Sequence, residues 1–293
     1  MKYCPSASEY NSLYCVAKEE FLQFAKILKK GTVCPIKAVH EIDNVDGIAT
    51  RTTTIMTGYL GDGYSIHKTI EIDDTVSTTV EASMLYKNGK LVACYGDGFT
   101  PIRCGVMACV AIGIIAESIP AVLDKPIGII GNGRISQSVC KAAKAIFGIS
   151  NIVIHGKKGN YGKNYEEFAN ICEAVEVDEN FSKLEKCGVV ITCTSSFTPE
   201  NLIETAQLKN ADAIISLDMG YILGESFRKE RRSYTDYVEQ AEAHYCDEFP
   251  FDENIAEMKQ LGVEAVQHGS VIYMYGIGIA DAVVARFLYE RNI

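Results

Sequence analysis

Ile127-Gly128-Ile129-Ile130 runs directly into Gly131-Asn132-Gly133-Arg134-Ile135-Ser136, and the reading of this stretch decides the fold class. A short apolar run followed by apolar positions at helical spacing over residues 135–147 reads as strand, turn, helix. The turn is a GxGxx pattern with Ser136 where a third glycine often stands. Gly131 suits a tight turn, Gly133 lets a backbone approach a pyrophosphate, and Ser136 is small enough to keep helix close to strand. The first helical turn adds unpaired N–H groups and a partial positive charge, which together favour an anion. The expectation is a dinucleotide held by Gly131, Asn132, Gly133, Arg134 and Ile135.

Outward from this turn the pattern repeats. Apolar runs at 127–130, 152–154, 175–177, 188–193 and 213–217 alternate with helical stretches at 135–147, 165–174 and 181–186. Such alternation predicts an α/β chain with a Rossmann-type, doubly wound parallel sheet. Ligands of open α/β sheets bind at the carboxyl ends of strands. That rule singles out Thr192, Cys193, Thr194 and Ser195 at one strand end, and Leu217 and Asp218 at another. The second strand ends in His155-Gly156-Lys157-Lys158, with no acid to take a ribose hydroxyl. Two lysines suit a 2′-phosphate, so NADP(H) is favoured here and NAD(H) remains possible.

The N-terminal hundred residues read differently, as a helix over 17–28 followed by antiparallel strands. Leu60-Gly61-Asp62-Gly63 and Asn88-Gly89 separate strand-like runs at 52–59, 64–72, 79–86 and 91–95. In Ile66-His67-Lys68-Thr69-Ile70-Glu71-Ile72, Lys68 shares a face with three isoleucines, so it lies either at a sheet edge or facing a cleft with an anion. Arg51, on the preceding strand, is expected to converge on the same place. Asp97-Gly98-Phe99-Thr100-Pro101-Ile102-Arg103 opens a long apolar helix with Thr100 as its cap. Arg103 then opposes the helix dipole unless an anion joins it. Together these cations suggest a carboxylate pocket, with Asp218 as the acid that meets an amine.

Four stretches, taken in order, resemble the ornithine cyclodeaminase/mu-crystallin family: 97–103, the Gly131-Asn132-Gly133 turn, 190–199, and Gly276-Ile277-Gly278-Ile279-Ala280-Asp281. The resemblance implies a homodimer with a Rossmann domain and an α+β substrate and dimerisation domain. The latter is built from the N-terminal part and the C-terminal helix. The corresponding division is 1–118, 119–272 and 273–293, the last returning to the first. It further implies that Arg51, Lys68 and Arg103 surround a substrate carboxylate and a nearby cofactor phosphate. Asp218 would handle the amine, with Lys68 as its catalytic partner, Ile277 would touch substrate, and Thr79 and Gly276 would touch cofactor. The implied activity is NAD(P)(H)-dependent oxidoreduction at the C–N bond of a small amino or imino acid. A cyclodeaminase that recycles its cofactor and a non-catalytic, crystallin-like NADP-binding protein are the alternatives. Tyr275-Gly276 stands where the family commonly has Lys-Ser, and Ile135 where glutamine is often found.

Composition bounds these readings. The 293 residues carry 28 basic and 38 acidic side chains, a formal charge of −10, which argues against nucleic acid or an anionic membrane as partner. The N-terminus has no leader-like pattern, and the apolar run 104–116 is short for a span of about 20 residues. Eleven cysteines without a CxxC pair read as reduced thiols, and five scattered histidines give no metal-ligand spacing. A cytoplasmic protein without a metal is expected.

Overall fold

The computed structural model describes all residues except 1–3, 28–33, 46–47, 74, 77, 156–160, 195–201, 249–257 and 293. They form two compact units, one built on Glu19–Arg103 with Ile277–Ile293, the other on Pro5–Lys18 with Cys104–Gly276. The division differs from the expected 1–118, 119–272 and 273–293. Two helices, α1 (Ala7–Ile27) and α2 (Phe99–Ser118), pass from one unit to the other in mid-helix. The apolar run that begins at Cys104 is core of the second unit, so the boundary falls inside α2 rather than after it. At 20 residues α2 is long and apolar enough by composition to cross a bilayer, which corrects the length argument; its apolarity serves burial within the protein.

In the first unit, β1 (Ala38–Val45), β2 (Ile48–Tyr59), β3 (Tyr64–Asp73), β4 (Thr78–Lys87) and β5 (Lys90–Tyr95) form an antiparallel meander in chain order. Both hairpin turns fall where their glycines stand, and Asn88 and Gly89 take the paired left-handed conformations of a two-residue turn. The C-terminal helix α7 (Gly278–Glu290) packs against one face of this sheet, mainly on β2 and β3. It packs backbone to backbone: a Cβ on Gly58 would overlap the Gly278 carbonyl, and one on Gly278 the Thr57 carbonyl. Small residues at this contact let the helix bring its first turn close to the strands.

The second unit holds eight parallel strands in the order β12-β11-β13-β10-β9-β6-β7-β8. They are β6 (Ile127–Ile130), β7 (Asn151–His155), β8 (Ala174–Val177), β9 (Val189–Thr192), β10 (Ala213–Ser216), β11 (Ser233–Thr235), β12 (Lys259–Gln260) and β13 (Ser270–Tyr273). The central strands are buried on both faces, as their unbroken apolar runs require. Helices α3 (Arg134–Phe147), α4 (Tyr161–Ile171), α5 (Glu225–Glu230) and α6 (Val238–Glu248) complete the unit. The helix expected over 181–186 shrinks to a three-residue 3-10 turn, Leu184–Lys186. Asp178 explains the loss: its carboxylate accepts the backbone N–H groups of Asn180, Lys183 and Leu184 and winds the chain as a loop.

Candidate functional site

The strand order reverses between β6 and β9, the point at which doubly wound sheets open a crevice. Gly131 ends β6 with φ +109°, a conformation that a side chain would strain, and a Cβ there would lie 2.5 Å from the carbonyl oxygen of Cys193 after β9. Ser136 ties the turn from below, donating its hydroxyl to the Gly131 carbonyl at 2.9 Å. Gly133 is the N-cap of α3 in extended conformation; no side chain caps the helix, and a Cβ at Gly133 would meet nothing within 4 Å. The turn is therefore tight where it joins the sheet and open at the helix N-terminus. A dinucleotide pyrophosphate fits these residues: the space beside Gly133 admits it, and the first-turn N–H groups can hold it. Arg134 is exposed beside that space and Ile135 half-buried; Asn132 lies between the glycines.

Asp218 follows β10 and is 6% exposed. Four donors converge on its carboxylate. Thr192 and Ser216 donate their hydroxyls to Oδ1, each at 2.6 Å. Oδ2 receives the Thr194 N–H at 3.1 Å and hydroxyl at 3.2 Å. Ser216 also accepts the Gly220 N–H at 2.6 Å, which closes the strand-end loop. A carboxylate offers about four acceptor sites, and here all are used. Asp218 thus stitches the ends of β9 and β10 together at the crevice, and Leu217 joins them again through its N–H to the Thr192 carbonyl. Between Thr192 and Thr194, burial pushes the Cys193 thiol up to about 12, which disfavours its thiolate.

A second carboxylate organises the segment after β13. Asp236, 1% exposed, accepts the N–H groups of Tyr275 at 3.0 Å and Gly276 at 2.9 Å. Gln240 donates to the Gly276 carbonyl at 2.6 Å. Gly276 is thereby held through both its N–H and its carbonyl.

In the first unit, Lys68 is fully buried and its ammonium meets three acceptors: Thr100 Oγ1 at 2.5 Å, Asp281 Oδ1 at 2.9 Å and Glu81 Oε1 at 3.2 Å. The Phe99 ring lies 5.3 Å away. Arg103 donates Nε to the same Asp281 oxygen at 3.2 Å. Asp281 is wholly buried; burial alone would raise its pKa, yet the charges of Arg103 and Lys68 outweigh it and hold the carboxyl below its ordinary range. Of the two settings that periodicity allowed Lys68, a sheet edge or an anion, the structure shows anions beside it, and they are the chain's own Asp281 and Glu81. Thr100 is not the helix cap: α2 begins at Phe99, and the Thr100 hydroxyl bridges Lys68 to Glu81.

Arg51 does not converge on this cluster. The β2–β3 register pairs Lys68 with Met56 and Arg51 with Asp73, so Arg51 projects from the opposite face of the sheet. There it pairs with Glu71 at 3.3 Å, both half-exposed. Thr79 lies exposed on β4, opposite Ile72. Ile277 is buried as the N-cap of α7. His155 ends β7 with Nδ1 2.5 Å from the Asp178 carbonyl and its ring against Phe181. Lys157, Lys158 and Ser195 lie outside the described residues. Among the described residues no group of three or more His, Cys, Asp or Glu is placed to hold a metal. Sequence reasoning missed Glu81, Asp236 and Gln240, and quoted Asp281 only within a motif. The available signal was Asp281, an acid in the otherwise apolar stretch 277–285; Asp236 stands in the polar context Arg232-Ser233-Tyr234-Thr235-Asp236, which gives none.

No protein-family model and no curated protein matches this sequence. Solved structures match throughout. A Thermococcus litoralis Δ1-pyrroline-2-carboxylate reductase, in complex with NADH and L-proline, superposes with a TM-score of 0.74 at 18% identity, over 96% of this chain and 93% of that one. This is the ornithine cyclodeaminase/mu-crystallin fold. A probable ornithine cyclodeaminase from Bordetella pertussis Tohama I shares it with a TM-score of 0.74 at 16% identity, over 97% and 92% of the two chains. So does an archaeal alanine dehydrogenase, a dimer with bound NAD, with a TM-score of 0.73 at 18% identity, over 98% and 95%. Within the ornithine cyclodeaminase/mu-crystallin fold, both sheets and the C-terminal helix are accounted for.

Proposed function

We propose that the protein is a nicotinamide-dinucleotide-dependent oxidoreductase acting on the C–N bond of a small amino or imino acid. The observation that carries the reading is the β6–α3 turn, tight at Gly131, open at Gly133 and uncapped at the start of α3. A nicotinamide bound there supplies or accepts a hydride. The chain's own part is to hold. Gly131 to Ile135 seat the pyrophosphate, the Asp218 cage keeps Thr192 and Thr194 at the crevice edge, and Lys68 with Arg103 offers positive charge to a substrate carboxylate. Asp218 is the acid closest in chemistry to an amine-handling role, by way of the Thr194 hydroxyl: its proton goes to Asp218, and its oxygen is the acceptor an amine would meet. Orientation of this kind accounts for several kcal/mol of rate enhancement.

The reductase and the alanine dehydrogenase are described with NADH or NAD. That supports NAD(H) ahead of the NADP(H) that Lys157 and Lys158 suggest by charge. A homodimer is part of the same proposal. Ile55, Tyr59, Val80 and Leu91 are exposed on the face of the meander opposite Lys68 and α7. The same face carries the half-exposed Arg51–Glu71 pair, and a mixed apolar and polar sheet face of this kind suits association with a second copy. Val80→Lys is expected to convert a dimer to monomer in analytical ultracentrifugation; an unchanged mass would place the interface elsewhere. The reduced thiols suit a cytoplasmic setting.

Absorbance at 340 nm, followed with NADH or NADPH, small 2-oxo acids plus ammonia or methylamine, and cyclic imino acids, tests the activity. Net oxidation of NADH is the expected result. Ammonia release from a diamino acid without net change at 340 nm would establish a cyclodeaminase instead.

A further inference from the structure

Two cations and two carboxylates meet in the first unit, and the balance between them bears on how an acid substrate could enter. Lys68 and Arg103 already face two carboxylates of the chain, Asp281 and Glu81. The Lys68 ammonium donates hydrogen bonds to Thr100 and Asp281 and is ion-paired with Glu81. A further carboxylate added to this arrangement would carry an unmatched negative charge into a desolvated place, which is costly.

The two resident carboxylates are not equivalent. Asp281 is wholly buried on α7, and one of its oxygens receives both Lys68 and Arg103. Glu81 sits on β4 with its side chain 8% exposed, against none for Asp281, and makes the longest of the three Lys68 contacts. Glu81 also accepts the Thr100 hydroxyl at 2.8 Å and the Thr100 N–H at 3.3 Å, with the Ser83 hydroxyl at 3.3 Å. Its carboxylate therefore occupies the place an incoming carboxylate would want: against the lysine, at the first turn of α2, with main-chain and hydroxyl donors around it.

We propose that Glu81 is a resident stand-in for the substrate carboxylate. It neutralises Lys68 and the start of α2 when no substrate is present, and an acid substrate binds by taking over its Lys68 and Thr100 contacts. The inference rests on the small-amino-acid reading above and adds to it a specificity-setting residue. Glu81 selects against weak carboxylate ligands, because each must replace contacts that are already made.

Calorimetric titration of the full chain with pyruvate tests this, with methyl pyruvate as uncharged control. Glu81→Gln keeps the shape and an acceptor for the Thr100 N–H, and removes the charge. It is expected to bind pyruvate about tenfold more tightly than wild type, with methyl pyruvate unchanged; Glu81→Ala is expected to act in the same direction. A structural role alone would weaken binding or leave it unchanged in both variants, and either result overturns the proposal. A wild-type crystal structure with pyruvate provides an independent test. Pyruvate on Lys68 with Glu81 swung away supports the stand-in, and pyruvate elsewhere with Glu81 in place overturns it. NADH binding in the same samples separates the two claims. Tighter pyruvate without NADH binding sinks the oxidoreductase reading alone, and normal NADH binding with unchanged pyruvate sinks the stand-in alone.

Discussion

Each unit is organised around a buried aspartate, and the two solve the burial problem differently. Asp281 in the meander unit is held by charge, with Lys68 and Arg103 on one oxygen. Asp218 in the Rossmann unit is held by neutral donors, three hydroxyls and one N–H, on both oxygens. A carboxylate held by charge is one member of an ion cluster, so removing it strands cations. A carboxylate caged by hydroxyls is an organiser, so removing it loosens the loops that it gathers. The first arrangement guards stability of a charged place; the second guards the geometry of a crevice.

Three substitutions break this comparison in order of expected size. Asp281→Ala removes the carboxylate that Lys68 and Arg103 share in a buried place, and a cost of about 3–5 kcal/mol is expected, read as a drop in melting temperature. Because the folded pKa of Asp281 is depressed, its contribution is complete above the ordinary carboxylate pKa of about 4 and is lost as pH falls through the lower folded value. The difference between wild type and Asp281→Ala is therefore expected to shrink on acidification below that point, and constancy from neutral to acid pH would contradict the ion-cluster account.

Asp218→Asn keeps the shape and replaces one acceptor by a donor that faces hydroxyls. About 1.5–3 kcal/mol is expected, with NADH affinity falling alongside, because Thr192 and Thr194 lose their anchor. Unchanged NADH affinity would mean that the cage does not shape the crevice. Arg51→Ala carries the smallest effect, within about 0.5 kcal/mol, since its pair with Glu71 is half-exposed. The Michaelis constant for an acid substrate is expected to stay the same; a tenfold rise would return Arg51 to the carboxylate site.

The β6–α3 turn was legible because strand, glycine turn and helix are contiguous, so local periodicity and spacing suffice. The hairpins were legible for the same reason. Their consequence was legible too, though unused: a hairpin that pairs Tyr59 with Ser65 pairs Lys68 with Met56 and leaves Arg51 on the other side. The Lys68–Asp281 contact joins residues 213 positions apart, and no local pattern announces such a pairing. Asp178 shows the converse, a single side chain whose backbone hydrogen bonds overrode helical spacing over 181–186. The short strands β11 to β13 also escaped, because strands of two to four residues are too short to show an alternation.

The central claim is that the space beside Gly133 receives a dinucleotide, and fluorescence titration of NADH against wild type and Gly133→Val tests it most directly. A side chain at Gly133 meets no protein atom within 4 Å, and its φ of −87° suits valine, so the variant is expected to melt with the wild type. The account predicts saturable NADH binding by wild type and at least tenfold weaker binding by Gly133→Val. Equal NADH affinity in the two proteins, or no nicotinamide dinucleotide binding by wild type, would contradict it.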